Sequence, residues 1–246
     1  MKPLISIVLG VLVAALLPRA YAQEKDPLYI TLGARVQGGG WEGNNENSSD
    51  TSFDSDNGGT FGLRLVMQKG RLYGGISLQG GEYDFENGSP DRIFGAPLPL
   101  GSISDDKATI KRGEADLLVG YYFWERVSLF ADIKNVTNEW QSENYSLRYT
   151  GLGFGVSGFI PLNERWTLFG TLGIVPRLNI RNDSDGIGKG TGSALEFGVV
   201  WRMLDATNMV FSLRNQHQEY DFDNDAKQTH DIGGIAIGIN HRFEVL

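Results

Sequence analysis

The 246-residue sequence has no cysteine, only three histidines and eight prolines, and more acid than base. The lack of cysteine removes disulfides, thiolate metal sites and thiol nucleophiles. Low proline beside 33 glycines excludes collagen and proline-rich disorder. With 22 basic against 30 acidic side chains the formal charge is −8, which argues against a nucleic-acid binder, since that needs a basic face to displace counterions. What is present is a chain 41% hydrophobic and 11% aromatic, too rich in apolar side chains for disorder and of a length that suits one large domain.

The first residues read as an export signal. Lys2 supplies a positive charge, Leu4 to Leu17 is almost wholly apolar, and Ala20-Tyr21-Ala22 has the small-x-small form of a peptidase site. The apolar run is about 14 residues, short of the ~20 that span a bilayer as a helix. Residues 1–22 are therefore assigned as a cleaved signal peptide and 23–246 as the mature domain. Cleavage removes Lys2 and Arg19 but no acid, taking the charge from −8 to −10. No later segment has the length and hydropathy of a membrane helix, so a mature chain that enters a membrane does so as a closed sheet.

Apolar residues alternate along the whole mature chain. Leu28, Ile30, Leu32, Ala34 and Val36 oppose Tyr29, Thr31, Gly33, Arg35 and Gln37, the pattern of a strand with one apolar face. Similar runs recur through Phe61–Met67, Leu72–Leu78, Leu117–Phe123, Val127–Ile133, Leu152–Ile160, Trp166–Ile174, Leu195–Trp201, Met209–Leu213 and Ile235–Phe243. This predicts ten strands and no helix after the signal. The connections at 41–59, 86–107, 136–144, 179–192 and 221–229 are long and polar, whereas those between are tight. A transmembrane barrel explains the alternation, having short periplasmic turns and long extracellular loops.

A soluble lipocalin-like barrel has the same period with its apolar face inward. Three features favour the membrane. The non-apolar faces are Gly, Ser and Thr with few charges, suited to a crowded lumen. The apolar faces run over about five alternate positions, enough to cross on a tilted strand. Aromatics gather beside the short turns: Tyr121, Phe123, Trp124, Phe159, Trp166, Trp201 and Phe243 form the expected interfacial girdle. A second set, Trp41, Tyr83, Phe85, Tyr145, Tyr149 and Tyr220, lies near the long-loop ends.

On this period, girdle and loop asymmetry the chain resembles the outer-membrane β-barrel proteins of Gram-negative bacteria, across residues 23–246. The resemblance implies a single closed antiparallel barrel in the outer membrane. It also implies contact with membrane lipid and lipopolysaccharide, and insertion by the outer-membrane assembly machinery. Gly233–Phe243 looks like the family's terminal assembly strand, although Glu244-Val245-Leu246 follow the aromatic on which most members end. No cofactor is implied.

Arg35, Arg64, Arg112, Lys134 and Arg214 against Glu114, Asp116, Asp132 and Glu196 make a nearly balanced set on the non-apolar face. In a barrel of ~10 strands these side chains pair across the lumen and plug it; the alternative is a narrow passive pore. The leading expectation is a non-enzymatic structural or adhesive surface protein.

The loops carry the excess acid. Asp221-x-Asp223-x-Asp225 resembles the start of a calcium loop, but Ala226 replaces the glycine and Ile232 the bidentate glutamate. His217 and His230 fall near the outer end of the last hairpin beside Glu219 and Asp231, where a carboxylate could orient an imidazole. Ten-stranded proteases of the omptin class place acid–histidine chemistry at this rim, but no matching pair of motifs is present, which leaves a rim hydrolase as a further alternative. Gly153-x-Gly155-x-x-Gly158 matches a dinucleotide fingerprint inside a strand with no helix after it, and reads as structural.

Overall fold

The computed structural model describes residues 26–45, 52–85, 108–140, 145–182, 185–223 and 225–245; the signal segment and the acidic 86–107 connection lie outside these. Eleven strands follow one another: β1 (Leu28–Asn45), β2 (Ser52–Asp54), β3 (Asn57–Lys69), β4 (Leu72–Phe85), β5 (Ala108–Trp124), β6 (Val127–Trp140), β7 (Tyr145–Pro161), β8 (Trp166–Asn182), β9 (Asp185–Arg202), β10 (Thr207–Phe222) and β11 (Lys227–Val245). Each long strand pairs antiparallel with its sequence neighbours, and β11 closes on β1 from Leu28↔Val245 to Asn45↔Gln228. Ten strands thus make a closed barrel, while β2 is a short flap that pairs with Glu42–Asn44 of β1.

Followed across the ladders from Ile30, the register returns to β1 at Glu42, a stagger of twelve residues. That stagger tilts the strands by roughly 40° to the barrel axis. An 18-residue strand then climbs about 45 Å, well beyond the ~25 Å apolar band of such barrels.

The extra height has a distinct construction. In the lower part the outer face is apolar: Leu32, Val36, Phe61, Leu63, Leu78, Leu129, Leu213 and Ile235 are each between 45% and 63% exposed. Higher up the phase of alternation inverts. On β10 the outer series Met209, Phe211, Leu213 continues as Asn215, His217, Glu219, Asp221, while the inner series Ser212, Arg214, Gln216 ends in Tyr220 and Phe222, both buried. On β4, Glu82 and Asp84 succeed Leu78 outside as Tyr83 and Phe85 become buried inside. The lower barrel is built for hydrocarbon around it, and the upper barrel for water around it.

This inversion corrects the reading of the connections. Residues 41–45, 136–140, 179–182, 185–192 and 221–222 belong to strands that extend the barrel outward. In β8 the register shifts between Val175 and Leu178, where Pro176 sits; a proline in an inner strand is tolerated at a bulge because no ladder hydrogen bond is lost there. The bulge turns Val175, Leu178 and Ile180 all inward, which masked the strand's continuation.

Trp41, Tyr83, Phe85, Tyr149 and Tyr220 are buried inside the barrel and form its hydrophobic core with Phe53, Ile110, Trp140, Leu147, Leu178, Ile180, Phe222 and Ile232. Near the periplasmic turns Tyr121, Trp124, Trp166 and Phe243 are exposed on the outer wall, and Trp166 stacks on Trp201 at 6.0 Å. Phe123 is half-buried beside Trp124 at a register shift of β5. Phe159 departs from the expected girdle: it pairs with Phe169 and packs edge-on against Tyr122, both on the inner face.

Several inward rings lie over glycine on the neighbouring strand: Tyr83 over Gly58, Tyr73 over Gly120, Phe130 over Gly155 and Phe53 over Gly43. A Cβ on Gly58 would fall 2.1 Å from the Tyr83 ring, so the missing side chain is the space the ring occupies. Gly70 has a different role, opening the two-residue β3–β4 turn at φ 56°, a left-handed conformation that suits glycine.

Gly58→Val is expected to displace Tyr83 and lower stability by about 1–3 kcal/mol. Gly113→Ala, with no atom within 4 Å of the new Cβ, serves as the neutral control. Urea unfolding of the refolded protein in micelles checks both.

Candidate functional site: the barrel lumen and its rim

The lumen is organised in three levels, each set by the inward parity of the strands. At the outer end the aromatic core closes the tube. Tyr149 and Tyr220 stack at 4.7 Å, Trp41 meets Tyr83 edge-on at 5.5 Å, and Trp41 and Tyr220 both contact His230. Beneath it lies a charged layer. Arg112 donates to Glu114 (2.9 Å), Asn138 (3.1 Å) and Gln216 (3.3 Å), and its guanidinium carbon lies 5.5 Å from the Trp41 ring centre. Arg214 donates to the second oxygen of Glu114 (3.3 Å) and to Gln79 (3.1 Å). Arg35 reaches Gln79 and, at 3.5 Å, Glu196, which also accepts from Ser212 (2.9 Å). Lys134 pairs with Asp116 at 2.9 Å.

All nine charged residues of the expected lumen set are on inward positions, and seven of them are joined by these ion pairs. Arg64 and Asp132 also line the lumen but take part in no ion pair among the described residues. Glu114 is central because it neutralises two arginines at once, and the Arg112 and Glu114 side chains are only 1% and 5% exposed. Charges so deeply buried are tolerated when paired and further hydrogen-bonded, and become costly when one partner is lost.

Beside and below this layer the lumen holds a cavity of about 360 Å³, whose lining reaches up to Gln218 and Leu178 at the level of the aromatic core. Its upper wall carries Arg35, Arg64, Asp116, Asp132, Glu196 and Arg214; towards the periplasmic end come Leu118, Phe130, Phe169, Val200 and Val210. At the outer end the aromatic core fills the tube.

The histidines do not converge. His217 and Asp231 are opposite each other on β10 and β11 and face outward, with Nδ1 2.9 Å from Asp231 and Nε2 3.4 Å from Glu219. His230, opposite Gln218, faces inward among the aromatic rings, 2.7 Å from Gln228. The barrel wall separates the two, which removes them as a joint acid–base site. His241 is on the outer wall at the periplasmic end, 2.9 Å from Thr207. Asp221 faces outward 3.8 Å from Lys227, Asp225 occupies a left-handed turn (φ 65°), and Asp223 hydrogen-bonds through its backbone to Ile187. Among the described residues no three acids or imidazoles converge as a metal site.

The membrane-crossing part of β10 ends near Asn215, so His217 stands above the lipid, partly open to water. Its hydrogen bond to Asp231, with help from Glu219, raises its pKa above the ordinary histidine value. The imidazolium is therefore favoured in the folded state. The stability it adds is complete below the unfolded pKa and is lost as pH rises through the folded one.

Glu114→Ala, leaving Arg112 and Arg214 uncompensated, is expected to destabilise the barrel by roughly 3–5 kcal/mol in micelle unfolding. An NMR titration of His217 is expected to show a midpoint above that of a free histidine, and Asp231→Asn is expected to lower it.

No family model and no curated protein matches the sequence. Among solved structures, the outer-membrane protease OmpT from Escherichia coli aligns with 92% of this chain and 99% of its own, at 10% identity and a TM-score of 0.55. Ail, the attachment invasion locus protein of Yersinia pestis, aligns with 89% of this chain and 100% of its own (11% identity, TM-score 0.33). The toluene transporter TodX of Pseudomonas putida aligns with 89% and 90% (11% identity, TM-score 0.29). At these identities the likeness concerns fold, and it is the first, with its TM-score above 0.5, that carries it. The chain has the fold of the outer-membrane β-barrels, as a closed antiparallel cylinder of ten strands.

Proposed function

We propose that this protein is a non-conducting, non-enzymatic surface barrel of the Gram-negative outer membrane, exported by cleavage of residues 1–22. Its role is to display an extended outer wall for structural or adhesive contacts. The observation that carries the reading is the sealed lumen: Trp41, Tyr83, Tyr149 and Tyr220 close the tube above the Arg112–Glu114–Arg214 layer. A passive pore would need a continuous water path where these side chains pack. A rim hydrolase would need acid and imidazole to face a common substrate, whereas the His217–Asp231 pair projects from the outside of the wall.

The outer wall also supports the lipid partners. Above the apolar belt, Arg148, Arg177, Arg181 and Lys189 are exposed on β7–β9 against the single exposed acid Asp185 among the described residues there, with Arg148 opposite Arg181 in register. The flank formed by β10, β11 and β1 is mainly acidic, with Glu42, Glu219, Asp221 and Asp231 beside the one lysine Lys227. On a protein of net negative charge, a basic flank at headgroup height suits lipopolysaccharide phosphates. Insertion by the outer-membrane assembly machinery through the terminal strand belongs to the same reading.

Purified full-length protein in planar bilayers is expected to give no steady ohmic steps; reproducible steps would establish a pore instead. For the adhesive role, trimming the outer hairpins above the belt should abolish attachment to cells or matrix while the barrel still folds. Unchanged attachment would contradict it.

A further inference from the structure

The charges of the cavity are distributed unevenly around its wall. Arg214, Arg35 and Arg64 stand on β10, β1 and β3, one side of the cylinder, and Asp116 and Asp132 stand on β5 and β6 across from them. Glu196 is committed to Arg35 and Ser212, and Asp116 to Lys134. What remains is one cation on one wall, Arg64, and one anion on another, Asp132, both without an ion-pair partner among the described residues. A side-chain network evolved only to plug the tube gains by pairing these two, because an unpaired charge in a confined space is costly. Instead they flank open volume. The Asp132 carboxylate occupies the space over Gly153, where a Cβ would meet it at 2.1 Å.

The cavity is also amphipathic. Leu118, Phe130, Phe169, Val200 and Val210 give it an apolar lower wall. Its volume of about 360 Å³ lies within the ~300–1,000 Å³ range of small-ligand sites, which pair apolar walls with a few placed polar groups.

We propose that the periplasmic half of the lumen binds a small zwitterion with an apolar substituent, of the hydrophobic α-amino acid class, its carboxylate on Arg64 and its ammonium on Asp132. The opposed charges orient such a molecule across the cylinder, and the apolar wall receives its side chain. This inference goes beyond the surface role. It rests on the sealed lumen only for the side of entry, since the aromatic core fills the outer end of the tube.

The test compares three probes that differ only in charge: L-phenylalanine, 3-phenylpropionate, which lacks the ammonium, and 2-phenylethylamine, which lacks the carboxylate. Binding to the refolded full-length protein in micelles is read by calorimetry and by protection of a single thiol, Ser77→Cys, in a chain that has no other. Phenylalanine is expected to bind about tenfold or more tightly than either analogue. Arg64→Met should erase its advantage over phenylethylamine, and Asp132→Asn its advantage over phenylpropionate. Equal binding of all three probes, no binding of phenylalanine, or unchanged preference in both variants would overturn the proposal. If a variant fails to refold, as judged by circular dichroism, the probe comparison on the wild-type protein decides alone. A conducting wild-type protein would sink the sealed-barrel reading but leave this charge preference intact, so the two failures are distinguishable.

Discussion

Every backbone amide that crosses hydrocarbon must find a partner within the protein, because no water is present to replace it. In this chain that requirement is met by the closure of β11 on β1, which pairs eighteen residues from Leu28↔Val245 to Asn45↔Gln228 and leaves the sheet without a border. Closure fixes an inside and an outside, and the period of two in side-chain direction then assigns every residue to one of them. The lipid belt, the ionic layer and the aromatic seal all follow from that assignment.

The two halves of the barrel solve different solvation problems with one continuous sheet. Where lipid surrounds it, leucine and isoleucine point out and the interior has to accommodate what is polar. The network around Glu114 does this by sharing one carboxylate between Arg112 and Arg214 and supplementing it with Asn138, Gln216 and Gln79. Where water surrounds the wall, the apolar residues move inside and Trp41, Tyr83, Tyr149 and Tyr220 pack as in a soluble core. The polar outer wall and the aromatic core of the upper barrel are therefore two results of one phase change along the strands.

The lower half was legible from alternation alone. The apolar series Ile235, Ile237, Ile239 and the opposed Arg112, Glu114, Asp116 give strand, face and lumen without further information. The upper half was harder because hydrophobicity changes face there. A pattern that tracks the apolar phase stops at Leu213, although the parity of Tyr220 and Phe222 already points inward when counted from it. At β8 even parity fails, since the Pro176 bulge adds a residue and carries Leu178 and Ile180 to the interior. Phe159 differs for the converse reason: its closeness to a turn suggests the interface, whereas its odd position between Gly158 and Ile160 places it inside. Pairing among lumen charges depends on register between distant strands, so neither the double use of Glu114 nor the isolation of Arg64 and Asp132 is visible in composition or spacing.

The most direct test of this architecture is a single-cysteine nitroxide scan from His230 to Phe243 in lipid bilayers, which the cysteine-free chain permits without background. Oxygen, which concentrates in hydrocarbon, is expected to relax labels at Ile235, Ile237 and Ile239 strongly and those at Ala236 and Gly238 weakly, with polar relaxation agents dominating at Asp231. Uniform accessibility along β11, or strong oxygen relaxation at Ala236 and Gly238 in place of the isoleucines, would contradict a barrel with its apolar face in lipid.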